Sequence, residues 1–354
     1  MTNKLRVAIV GCGVGNAHAK GYRELPDQFE LAAVCDIDAD RARSFAAEHG
    51  VPIVVSSLDQ LCAMGDIDVI DICTPPGLHF DHVRQVLAAG KHAICEKPLV
   101  GSRADADALA DAEARSGKRL MPIFQYRFGH GLQKLRLLMA AGVAGAPYLA
   151  TVETAWRRRE TYYDVPWRGK WATELGGALL GHAIHAHDML CYLLGPVSEV
   201  FCRAATLVNP IEVEDTAAAT LRLASGALAT LAVTLGSTTE ITRHRICFSG
   251  LVAESNTRPY TSSGDPWTFT GDTPAITGQI EAALARFEPQ PEGYAGQFWR
   301  FYQALSDGGL LPVTLADARA SLELATALYA STRSGAPVSL PIAADHPLYA
   351  GWLP

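Results

Sequence analysis

The chain has 354 residues, more than one hydrophobic core usually organises, so length alone favours two domains. Hydrophobic residues make up 49% and charged residues 19%, which excludes a largely disordered chain. Thirty basic against 37 acidic residues leave a net charge of −7, which argues against a dedicated nucleic-acid binder. The opening residues lead into an apolar run that turns at once into glycines, without the pattern of a cleaved signal peptide. The most apolar later stretch, residues 217–235, carries Arg222 and several Ser and Thr, unlike a membrane span. A cytoplasmic protein with neither a membrane nor a nucleic-acid partner is therefore expected. The eight cysteines stand singly, none in a CxxC pair, and read as small buried hydrophobes of a reducing compartment.

Over the first 125 residues, apolar β-rich runs at 5–10, 31–35, 53–55, 69–73, 92–95 and 120–124 alternate with helical patterns at 16–25, 39–49, 57–64, 79–89 and 103–116. Strict alternation predicts a parallel sheet covered on both faces, a doubly wound α/β domain over residues 1–125. The pattern then changes. A helix is predicted at 132–141, a strand at 148–156 and a helix at 177–194, stopped by Gly195-Pro196. Strands follow at 197–207, 216–224, 227–235 and 242–249, with a hairpin turn at Ser225-Gly226. Residues 256–274 read as loop or irregular hairpin, and helices at 294–307 and 315–334 precede a short strand at 338–340. Residues 126–354 are thus expected to form an α+β domain with a mostly antiparallel open sheet.

The first candidate site is Gly11-Cys12-Gly13-Val14-Gly15-Asn16, directly after strand one. Glycines there permit a tight turn and bring a pyrophosphate close to helix N-terminal amides. The loop reads as one residue shorter than the usual glycine fingerprint, with Gly15 in the third place. Asp36 ends strand two, where its carboxylate can accept hydrogen bonds from ribose hydroxyls. Strand, glycines, helix and acid together point to dinucleotide binding. Thr74-Pro75 with His79 follows strand four, and Glu96-Lys97-Pro98 follows strand five, both at strand ends where ligands of open parallel sheets sit. Lys97 is either a lysine on a turn or a partly buried base with a lowered pKa.

In the run from Gly176-Gly177 to Asp188, helical spacing puts His182, His185 and Asp188 on one face and turns His187 away. No HExxH or other ligand spacing is present, so no metal is expected, and packing histidines are the competing reading. Aromatics interleaved with arginines, Trp156-Arg157-Arg158-Arg159 and Tyr162-Tyr163 to Trp167-Arg168, suit sugar faces and anionic groups, or else a salt-bridged loop.

Taken together, Gly11–Gly15 with His18, Thr74-Pro75 with His79, Glu96-Lys97-Pro98, and Gly176-Gly177 with His185 and Asp188 resemble the glucose–fructose oxidoreductase/inositol dehydrogenase (Gfo/Idh/MocA) family, in order and over nearly the whole chain. Val213-Glu214-Asp215-Thr216, Ser225-Gly226 and residues 331–341 fit it too. The resemblance implies an N-terminal Rossmann domain and an NAD(P)-dependent dehydrogenase acting on a CH–OH group of a sugar, cyclitol or sugar acid, as a homodimer or homotetramer. It implies Lys97 and His185 as the catalytic pair. Cofactor contacts fall on Gly11, Gly13, Val14, Gly15, Asn16, Asp36, Thr74, Pro75, His79, Glu96 and Lys97. Expected substrate contacts are Lys97, Tyr126, His182 and His185, with Arg157, Trp167 and Arg168 added from the aromatic–arginine stretch.

One position departs from the pattern. Many family members carry an aspartate four residues before the histidine, where this chain has Gly181, with His182 beside it as a partial substitute. NAD is expected over NADP because Asp36 would repel a 2′-phosphate, although Arg41 and Arg43 stand close by. An NAD-dependent glycosidase that oxidises, eliminates and reduces again, and a non-enzymatic dinucleotide-responsive regulator, are the alternatives.

Overall fold

Leu5–Val10 (β1), Phe29–Cys35 (β2), Ile53–Val55 (β3), Val69–Ile72 (β4), His92–Cys95 (β5) and Leu120–Pro122 (β6) form a six-stranded parallel sheet in the order β3-β2-β1-β4-β5-β6. Their near-continuous burial is what a sheet covered on both faces demands. Helices Cys12–Arg23 (α1), Ala39–His49 (α2), Leu58–Ala63 (α3), His79–Ala88 (α4) and Arg103–Ser116 (α5) make the crossovers. The computed structural model describes residues 4–354. Helix α1 starts at Cys12, four positions before the predicted start, because the glycine loop is itself wound into the first helical turn. The strand order reverses between β1 and β4, so the loops after these strands flank the switch point at which such sheets bind ligands.

The remaining elements are His130–Ala140 (α6), Pro147–Arg157 (β7), Trp171–Glu174 (α7), Ile184–Leu194 (α8), Val197–Ala205 (β8), Thr216–Leu223 (β9), Leu228–Thr234 (β10), Gly236–Phe248 (β11), Leu251–Glu254 (β12), Thr268–Gly271 (β13), Pro274–Leu284 (α9), Gly293–Asp307 (α10), Leu315–Ser334 (α11) and Val338–Ser339 (β14). Their eight strands order as β13-β12-β11-β7-β10-β9-β8-β14. Every neighbouring pair is antiparallel except β7 with β10, which run parallel with Leu149 opposite Leu228. On β9 burial alternates strictly, so one face of the sheet is covered and the other is open. Helix α9 and strand β12 fall in stretches that the sequence pattern left unassigned or read as loop.

The chain divides into two compact units, Met1–Phe124 with Gly293–Arg319, and Gln125–Glu292 with Ala320–Pro354. The first boundary lies one residue from the sequence reading, but residues 293–319 belong with the parallel sheet, not with the second unit as that reading had them. The physical reason is aromatic packing. The Phe298 ring of α10 stacks on Tyr22 of α1 at 4.1 Å, and a Cβ at Gly21 would meet the Cβ of Tyr294 at 2.9 Å. Among the described residues no helix is long and apolar enough to cross a membrane. All eight cysteines are free.

Candidate active site

In the first unit the site grows out of strand ends. Gly11 has φ +97, and a Cβ there would come within 2.5 Å of the Cys73 carbonyl oxygen, so only glycine fits. A Cβ at Gly15 would meet Ile9 at 3.0 Å and Cys73 at 3.6 Å, which is the close helix–strand packing expected of the third glycine. Gly13 faces open space, with nothing within 4 Å of its Cβ position, and Val14 beside it is exposed. The helix N-terminus therefore offers amides and room to a phosphate group. Asn16 is less available than the sequence suggested, since its amide donates to the Cys12 carbonyl and its oxygen meets the His49 ring.

Asp36 is buried at the end of β2. Its oxygens accept from the amides of Cys12 (2.7 Å) and Asp38 (2.9 Å), and Arg41 pairs with both, Nη2 at 2.5 Å and Nε at 3.0 Å. Burial opposes the charge, but the bonds from Arg41 and the two amides hold the carboxyl below its usual range. The acid expected to face the ribose is thus already engaged by Arg41.

Beneath the Glu96-Lys97-Pro98 turn lies a buried polar cluster that the sequence reading did not identify. His18 Nδ1 meets Asp71 at 2.8 Å and Nε2 meets Glu96 at 3.0 Å, while Tyr22 donates to Asp71 and Tyr294 to Glu96. Burial, the largest effect, disfavours charge on His18, yet Asp71 holds its pKa well above the ordinary value. His18, Asp71 and Cys73 bring three metal-type ligand atoms within 4.8 Å of one another, but these atoms bond to one another. The other Glu96 oxygen accepts from the Lys97 amide at 2.9 Å, so the cluster fixes the backbone that carries the half-buried Lys97. His79 is fully buried, and its ring joins the carbonyls of Thr74 and Pro98. Burial pulls its pKa down, and it braces the two loops. Thr74 Oγ1 meets His82 at 3.1 Å, with Pro75 next to it at the start of the following turn.

In the second unit the glycine pair is a packing requirement. A Cβ at Gly177 would overlap the Glu214 carbonyl oxygen, and one at Gly176 would overlap the Tyr329 hydroxyl. Buried Glu214 accepts from the amides of Gly177 (3.1 Å) and Leu179 (3.0 Å) and from Tyr329 (3.0 Å), which pins the start of the histidine segment. Asp215 accepts from the amides of Leu207, Val208 and Asn209 and closes the neighbouring loop.

The predicted helix over 177–194 is in fact two pieces. Ala178–His182 is wound as a π-turn, closed by Ala183 N donating to the Ala178 carbonyl, and α8 follows from Ile184. The wider turn breaks the simple three-residue stepping. His185 stacks on Tyr126 with ring centroids 4.5 Å apart. His182 instead turns to the Tyr162 hydroxyl at 3.1 Å and the Trp156 ring. Asp188 forms a buried two-bond pair with Arg127 at 2.6 and 2.8 Å, so it anchors the helix. His187 is buried as well, and burial together with His244 holds its pKa at about 3.

The arginine–aromatic stretch sorts by strand alternation. Arg157 is exposed and points away from the packed aromatics, contrary to its place among the expected substrate contacts. Arg158 lies against Trp156, Tyr162 and Tyr260 and pairs with Glu240 at 3.1 Å. Half-buried Arg168 sits 3.7 Å over the Tyr162 ring and 4.7 Å from that of Trp167. Its Nε is buried without a hydrogen-bond partner, while the Glu174 carboxylate is near enough to favour its charge against the effect of burial.

The sequence and the fold are matched by known proteins. Residues 5–124 match the oxidoreductase family with an NAD-binding Rossmann fold, and residues 132–250 match the GFO/IDH/MocA C-terminal domain. The chain belongs to the Gfo/Idh/MocA oxidoreductase family. A WlbA dehydrogenase from Bordetella pertussis, crystallised with NADH and UDP-GlcNAcA, is 29% identical with a TM-score of 0.85, covering 96% of this chain and all of that one. The D-glucoside 3-dehydrogenase of Escherichia coli (strain K12) is 34% identical over 199 residues, 55% of each chain. The myo-inositol 2-dehydrogenase of Thermotoga maritima is 29% identical over 231 residues, 63% of this chain and 66% of that protein. This member of the family is an NAD-binding oxidoreductase of the sugar and cyclitol dehydrogenase type.

Proposed function

We propose that the protein is an NAD-dependent dehydrogenase whose substrate is a sugar or cyclitol bearing an anionic group, a sugar acid or a close derivative. The observation that carries this reading is Arg168. Burial disfavours its charge, the nearby Glu174 carboxylate offsets this only in part, and an anionic substrate group would satisfy the guanidinium nitrogen left without a hydrogen bond. Tyr162 and Trp167, already stacked on that cation, would offer flat faces to the ring of the sugar. The WlbA dehydrogenase was crystallised with UDP-GlcNAcA, itself an anion, which supports the same class.

When bound, NAD supplies the acceptor for the hydride. The chain's own residues supply the rest. The first-turn amides of α1 hold phosphate, and Asp36 takes the ribose once Arg41 yields. Lys97, with its backbone fixed by the His18–Glu96 cluster, takes the hydroxyl proton. His185, held flat against Tyr126, serves as a proton-transfer or substrate-orienting group.

Absorbance at 340 nm over matched neutral sugars, cyclitols and sugar acids tests the reading. NADH should form with an anionic substrate, and Arg168→Met should raise KM for it about 10- to 100-fold, the worth of a charge-assisted hydrogen bond. Equal activity on neutral and anionic substrates would defeat the anionic assignment, and product release without net NADH would mark a glycosidase.

A further inference from the structure

Gly181 is the one half-exposed position in an otherwise buried run from Gly176 to Leu190. It is also where the family pattern carries a carboxylate and this chain has none. A Cβ at Gly181 would have Glu174 Oε1 3.7 Å away and the Gly176 carbonyl at 3.9 Å, both ordinary contacts. A carboxylate therefore does stand at this place, delivered from a different element.

The local fold explains how it gets there. Short α7 is tied down by Trp171, whose amide and indole both bond to Glu212. Leu175, with φ 68, then reverses the chain into Gly176-Gly177. Glu174 is left 4% exposed, and its Oε2 accepts from the Gly169 amide at 2.6 Å while Oε1 lies against Gly181. His182, the other candidate for the missing group, is turned to Tyr162. Among the charged and titratable groups near Glu174 are Arg168 and the Tyr163 phenol, with His182 on the adjoining turn.

We propose that Glu174 supplies the carboxylate that many members of this family carry at position 181, and that it accepts a hydrogen bond from a substrate hydroxyl lodged in the space Gly181 leaves. The glycine and the glutamate are then one exchange, in which the side chain is removed from the helix and its charge is returned from α7. The added room accommodates a bulkier substrate than an aspartate would allow. The inference rests on the dehydrogenase reading above.

Glu174→Gln keeps the shape and the acceptor for Gly169 but removes the charge. It should lower kcat about 10- to 100-fold with NAD affinity unchanged, and it should abolish the acidic limb of the pH–rate profile. Adding Gly181→Asp to that variant should recover at least tenfold of the loss and restore the limb. Wild-type turnover in Glu174→Gln, or no recovery in the double variant at an unchanged melting temperature, overturns the proposal. A readout without turnover keeps the two readings apart. With 13C-labelled glutamate, the Glu174 carboxyl resonance, assigned by its loss in Glu174→Gln, should titrate at higher pH in Gly181→Asp alone, because two adjacent carboxylates resist joint ionisation. An unmoved titration also overturns the proposal. Failure of every tested sugar to reduce NAD, with that shift present, would sink the dehydrogenase reading instead.

Discussion

The two units build their candidate functional residues by opposite means. At the ends of β1, β4 and β5 the backbone does the work, through a glycine turn, helix amides and a lysine turn fixed by a buried histidine. In the second unit side chains do it, brought together on a π-turn by partners distant in sequence. Glu214 reaches Gly177 and Arg127 reaches Asp188, while Glu174, from the short helix just before, lies beside Gly181. A backbone site needs particular residues at fixed short spacing, whereas a side-chain site can draw the same chemical group from any neighbouring element. The first kind is rigid in sequence, and the second is interchangeable.

Glycine substitution tests this contrast most sharply. Gly177→Ala should abolish the folded second unit or lower Tm by ten degrees or more, because its methyl overlaps the Glu214 carbonyl. Gly13→Ala meets nothing, so Tm should hold while the Kd for NAD rises about tenfold or more. Thermal melts and a fluorescence titration of NADH read both, and a folded Gly177→Ala protein would break the comparison.

The proposed catalytic side chains come next. Lys97→Ala should cost turnover about a thousandfold with NAD affinity within a few-fold, and His185→Ala about a hundredfold. Steady-state kinetics decide, and near wild-type turnover in Lys97→Ala would remove it as the base. A smaller effect is expected at Asp36. Its loss frees Arg41 for a 2′-phosphate, so Asp36→Ala should narrow the NAD-over-NADP ratio of kcat/KM by about tenfold or more. An unchanged ratio would show that this carboxylate does not face the ribose.

Glu214 gives the smallest effect, one of pH. Burial raises its pKa from 4.5 to about 7, against the pull of its hydrogen bonds from Leu179, Tyr329 and Gly177. The folded protein then holds this proton more tightly than the unfolded chain does. Its contribution to stability is full below pH 4.5 and is lost as pH rises through about 7. Tm should fall by a few degrees between pH 5 and pH 8, and Glu214→Gln should flatten that slope.

What the sequence disclosed follows the same division. The six parallel strands, the glycine turn, Asp36 and the Lys97 turn were all readable, because strand periodicity and helix-start chemistry are local. The π-turn was not, since His182, His185 and Asp188 satisfy α-helical spacing on paper. The aromatic–arginine run does not by itself tell Arg157, which is exposed, from Arg158, which packs on the aromatics. Helix α10 read correctly as a helix, but nothing in its own residues says which sheet its Phe298 serves. Glu174 sits in a four-residue helix too short to show periodicity, and its importance emerges only beside the glycine it faces.

The connectivity also has a cost in time. Strand β7 ends at Arg157, yet its two sheet neighbours, β10 and β11, begin at Leu228 and Gly236. At roughly 5–20 residues per second of synthesis, β7 waits on the order of ten seconds on the ribosome with both edges open. The parallel sheet waits longer still, because α10, which stacks on Tyr22, is made only after the whole eight-stranded sheet except β14. Neither unit can finish folding well before the other, so a nascent chain of this protein presents apolar surface to chaperones until its last quarter has emerged.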